Sequence, residues 1–148
     1  MSWLAACLIA HALLTSAFSP SWWVPDLTLV GLVLAVARTP SRWFLLSVVA
    51  GVFTMAWAIR FPKQVFLFYV VLGWVVHVLG RQWDATDLRV QVSMVGLAGA
   101  LLSLGALWLD ELSSLSLLGL SMARVAMTVL AVPCVRHLLE RRVGLRRL

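Results

Sequence analysis

Six apolar runs take up most of this chain, at residues 3–18, 25–37, 43–59, 65–80, 90–109 and 115–139. Only short polar turns separate them. A helix that crosses bilayer hydrocarbon needs roughly 20 apolar residues, with a range of about 17–25. The runs are of that order, several at its short end. Composition agrees: 62% of the 148 residues are hydrophobic and 12% charged, against about a quarter charged in a soluble domain. Water could not cover so much apolar surface on so small a chain. The sequence therefore predicts an all-α integral membrane protein. It is expected to be one six-helix transmembrane bundle over residues 1–148, with a short basic tail at 140–148 and no soluble domain.

The breaks between runs have physical causes. Pro20 and Pro25 end one helix and open the next, because proline suits a first helical turn and not an interior. "RTPSR" at 38–42 and "RFPK" at 60–63 are tight charged turns, and "RQWDATDLR" at 81–89 is the longest polar segment. "DELSS" at 110–114 precedes the last run, with Ser113 or Ser114 as its N-cap. Basic residues set orientation. Cytoplasmic termini place nine of the twelve Lys and Arg inside, Arg60 and Lys63 outside, and Arg124 within the membrane. Most tryptophans fall at run ends, where amphipathic indoles favour the headgroup level. Trp22 and Trp23 would anchor the second run outside and Arg38 inside. Both termini are therefore expected on the cytoplasmic side of the membrane.

The basic excess does not point to nucleic acid, since it sits between apolar runs and at the C-terminus. Cys7 and Cys134 lie in apolar runs with no CxxC, which argues against a disulfide framework. "LAAC" at 4–7 resembles a lipoprotein cleavage box, but too few residues precede Cys7 for a signal peptide. His11, His77 and His137 share no metal-ligand spacing, and the acids nearly all lie in turns or at ends. No phosphate loop appears. The expectation is a protein without enzyme activity, metal or cofactor.

Several residues carry a sharper reading beside a plainer one. In "GLAGALLSLGA" at 96–106, Gly96 and Ala100, and Gly99 and Ser103, are spaced for close helix approach. They would pack inside the bundle or form a homo-oligomer or partner face. His11 is either a hydrogen-bonded core residue or a functional intramembrane group. The "RHLLERRVGLRRL" ending meets anionic lipid or docks an acidic partner. Pro25 and Asp26 read as a helix start, with the carboxylate near free N–H groups. Arg124 lies roughly 15 Å along the sixth helix from its start. It either snorkels to phosphate or pairs with an acid at that surface, Asp26 or Asp110 foremost.

The layout resembles a known family. "PDLTLVGLVLAVAR", the turn "TPSR" with Pro40, "FLLSVVAGVF", and "TVLAVPCVRHLLERR" with Pro133 are similar in order and spacing to MreD. MreD proteins are small rod-shape-determining membrane proteins of bacteria. One departure is that Gly51 is followed four residues on by Met55, where the family commonly has an acid, and the loop reads "WAIRFPKQ". The resemblance implies a non-catalytic scaffold of the cell-elongation complex. Its partner would be MreC, a single-pass protein, with MreB, RodA and RodA's paired transpeptidase nearby. It also implies that the Asp26 corner helps shape the partner surface. MreD-like chains have further been grouped with the substrate-binding subunits of vitamin transporters. That supports the six-helix bundle and supplies the alternative, a small-molecule-binding transporter subunit.

Overall fold

A computed structural model describes residues 2–17, 24–57, 61–109 and 115–144. It is built from six α-helices: α1 (Ser2–Ala17), α2 (Leu27–Arg38), α3 (Trp43–Trp57), α4 (Pro62–Gln82), α5 (Leu88–Leu109) and α6 (Leu115–Gly144). A short 3-10 turn, Pro40–Arg42, joins α2 to α3. Each apolar run coincides with a helix over its described residues.

The helices are unequal in length. Among the described residues three are long and apolar enough to cross a membrane: α4, α5 over Leu88–Gly105 and α6 over Leu118–Leu138. A fourth candidate arises if α2 and α3, bent by 119° at their junction, count as one broken span. The arrangement is consistent with a multi-pass membrane protein. α1 has 16 residues, α2 12 and α3 15. At 1.5 Å per residue α2 is only about 18 Å long, against hydrocarbon of about 30 Å.

The place of α2 explains why it need not match that thickness. It packs against each of the other five helices. All ten residues 27–36 are buried, with Leu29, Val30, Leu32 and Val33 wholly so. Every other helix shows lipid-sized apolar side chains on its surface, among them Leu13, Phe44, Leu67, Leu97 and Leu130, each more than half exposed. A helix clothed on all sides by protein meets no lipid, so bilayer thickness does not set its length. Its ends are fixed locally. Asp26 caps the start, while Thr39 returns its N–H to the Ala35 carbonyl at 3.0 Å before Pro40 stops the helix. Arg38 in the last turn suits the negative end of the helix dipole.

Small residues set the closest approaches. A methyl at Gly73 of α4 would overlap the Ser47 hydroxyl of α3, and one at Gly31 of α2 would come 2.6 Å from Cys7 Cβ of α1. The expected "GLAGALLSLGA" stripe is looser. A methyl added at Gly96 or Gly99 would meet Val129 or Val125 of α6 only at ordinary van der Waals distance.

Candidate functional site

The polar centre of the molecule lies at the start of α2. Asp26 Oδ1 accepts the Leu29 N–H at 3.1 Å, a helix cap. Oδ2 accepts the Tyr69 hydroxyl of α4 at 3.0 Å. The Asp26 N–H donates to Thr128 Oγ1 of α6 at 2.9 Å, and that hydroxyl donates back to the Arg124 carbonyl at 2.8 Å. One residue thus ties the central helix to α4 and α6. His11 of α1 is also buried, and its Nδ1 has no hydrogen-bond partner. Helix capping by Asp26 is as the sequence predicts. Pro25 is displaced from its expected role: it precedes the cap, and the helix opens at Leu27. The Pro25 carbonyl accepts the Leu27 N–H at 2.9 Å instead.

Beside this crossing is a cavity of about 140 Å³. Asp26, Ser103, Ser121, Arg124 and Thr128 line its polar part, and Gly99 stands in its wall. Arg124 and Asp26 share the cavity, yet they make no ion pair within 4 Å, and the Arg124 Nε is buried without a hydrogen-bond partner. The direct Asp26–Arg124 pair expected from sequence is therefore not formed. The other expected acceptor, Asp110, lies outside the described residues, as do Glu111, Ser113, Ser114, Trp22 and Trp23.

At the opposite end of α2 a second polar cluster is built from long charged side chains. Glu140 of α6 accepts Arg136 Nε at 2.8 Å and lies 3.6 Å from Arg38 Nη2. Arg136 Nη1 also donates to the Thr86 carbonyl at 2.9 Å, reaching the turn between α4 and α5. The Arg38 guanidinium sits 3.7 Å over the Trp3 ring of α1. Asp84 and Asp87 in the turn are exposed, as expected. Asp84 Oδ1 accepts both the hydroxyl and the N–H of Thr86, which holds its carboxyl below the ordinary value. Pro133 stands on the exposed side of α6, which continues through it. Of the two cysteines, Cys7 is buried and Cys134 exposed.

Sequence reasoning missed Tyr69 and Thr128 as the partners of Asp26. The available signal was chemical: Tyr69 is the only tyrosine, set in an apolar run where a hydroxyl needs an acceptor. No group of three or more His, Cys, Asp or Glu side chains among the described residues could hold a metal ion. Comparison of the chain with protein-family models, with curated proteins and with solved structures finds no match.

Proposed function

We propose that this chain is a non-catalytic membrane scaffold of MreD type that binds an MreC-like single-pass partner in a cell-elongation complex. The carrying observation is positional. The "PDLTLVGLVLAVAR" segment on which the resemblance rests is the central helix with its cap, and its Pro25–Asp26 corner ties that helix to α4 and α6. A change at this corner is felt by three helices at once, which is how a surface for a partner is held in shape. The finer layout we infer is six spans in a bacterial inner membrane with both termini cytoplasmic, from the nine-to-two bias of basic residues. A periplasm-active reporter fused at Leu148 should stay silent; activity there, with none from a fusion at 110–114, would reverse the orientation.

The transporter-subunit reading has one observation in its favour, the polar-walled cavity beside Asp26. Its volume of about 140 Å³ falls below the range of roughly 300–1,000 Å³ usual for small-molecule sites. Scaffolding is the better fit. The test is co-purification of the tagged chain from its native membrane. A single-pass protein with a large outer domain is the expected companion; an ATPase-coupled complex would overturn the reading.

A further inference from the structure

Among the described residues the bundle does not close on itself. Between α1 and α6 runs a cleft of about 500 Å³. Small residues of α1, Ala6 and Ala10, form one wall, and Val135 and Leu138 of α6 form the other. Leu27 of the buried central helix is reached at its depth, and Arg141 lines the cleft one turn beyond Leu138. In a membrane such a slot admits a chain-like apolar occupant, because an empty one forfeits dispersion contacts on every wall.

The charges around the slot say what that occupant carries. Glu140, the acid nearest Arg141 in sequence, is already engaged by Arg136 at 2.8 Å and Arg38 at 3.6 Å. Arg141 is exposed and has no acidic partner among the described residues. Trp3, on α1 beside the slot, lies under Arg38, so an indole marks the headgroup level at this end. An apolar slot ending in an uncompensated arginine at headgroup level matches a molecule with an acyl tail and an anionic head.

We propose that the α1–α6 cleft is a binding site for one anionic phospholipid, its acyl chain between Ala6, Ala10, Val135 and Leu138 and its phosphate on Arg141. Basic pockets between transmembrane helices at a charged membrane face commonly take such headgroups. The inference is independent of the partner proposed above. It needs only that the chain is embedded in lipid. It also goes beyond general attraction of the basic tail, because it requires the slot as well as the charge.

Native mass spectrometry of the detergent-purified protein, loaded with phosphatidylglycerol or with phosphatidylcholine of the same acyl chains, tests it. One phosphatidylglycerol per chain should be retained in preference. Arg141→Ala should cut that preference about fivefold, the scale of one arginine's attraction to an anionic surface. Ala10→Trp, which fills the slot and leaves every charge in place, should abolish the bound lipid. Ala6→Trp is the second slot-filling variant, and whichever of the two keeps the wild-type thermal midpoint is the one read. Equal retention of the two lipids would overturn the proposal. So would loss on Arg141→Ala with none on filling the slot, which would mean attraction by the tail alone. A photo-crosslinker at Ala6 that captures a polypeptide rather than lipid in native membranes would also overturn it.

Discussion

The two ends of α2 are held by different chemistry. At the Asp26 end the links are short: a carboxylate, a phenol and a threonine hydroxyl, each at hydrogen-bond distance, around a side chain that is mostly shielded. At the Arg38 end they are long guanidinium and carboxylate arms, with Arg38, Arg136 and Glu140 side chains 39%, 29% and 45% exposed. Shielded short links fix geometry and leave costly orphans when cut. Exposed ion pairs tolerate rearrangement and contribute little each. The Asp26 end should therefore set the shape of the bundle, and the Arg38 end should tune it.

Asp26→Ala should have the largest effect. It removes the cap, worth about 0.5–2 kcal/mol, and leaves the buried Tyr69 hydroxyl without its acceptor at a further cost of about 1–3 kcal/mol. A fall of about 3 kcal/mol in detergent unfolding is expected, and a loss under about 1 kcal/mol would break the contrast between the ends. Tyr69→Phe comes next, at about 1.5 kcal/mol, since it deletes one hydrogen bond to a charged acceptor but strands no buried donor. In a double-mutant cycle the two changes should lose clearly less than their sum. Strict additivity would mean that the hydroxyl does not serve Asp26.

How far these features can be read in the sequence depends on their range along the chain. The helices could be placed because proline, charge and apolar length are local signals. The third and fifth runs, at 43–59 and 90–109, lie within two residues of α3 and α5 wherever their ends are described. The fourth helix begins at Pro62 rather than 65 because proline fits the first turn, and Lys63 and Gln64 can ride at a polar helix end. The central position of α2 was harder to see. Uniform apolarity marks a buried helix in a soluble protein, but in lipid every helix is apolar all round, so burial leaves no pattern. Its 12-residue length was the usable clue. The Asp26 contacts reach 43 residues to Tyr69 and 102 to Thr128, and no periodicity encodes pairings at such separations.

At the Arg38 end the effects should be smaller and sensitive to salt. Glu140→Gln removes the charge that both Arg38 and Arg136 engage. About 0.5 kcal/mol is expected, in the range of exposed pairs, and it should vanish at high salt. A loss as large as that of Asp26→Ala would erase the distinction between the two ends. The smallest effect belongs to the turn between α4 and α5. The Asp84 carboxyl is held below its ordinary value of 3.8 by Thr86. Its stabilising effect is present above that value and fades as pH falls through the lowered one. Thr86→Val deletes the hydroxyl donor, so the acid-side decline of the thermal midpoint should begin at the same pH, end at a slightly higher one and be smaller in total. An unchanged acid limb would show that the hydroxyl does not stabilise the ionised carboxyl.

The central structural claim is that a short helix is shielded from lipid by the other five and so governs their arrangement. Labelling in native membranes with a lipid-soluble carbene precursor, read out peptide by peptide, tests it most directly. Residues 27–36 should take up almost no label, while the exposed surfaces around Leu97 and Leu101 of α5 and Leu130 of α6 are labelled heavily. Label on 27–36 at the level of α5 would contradict the account.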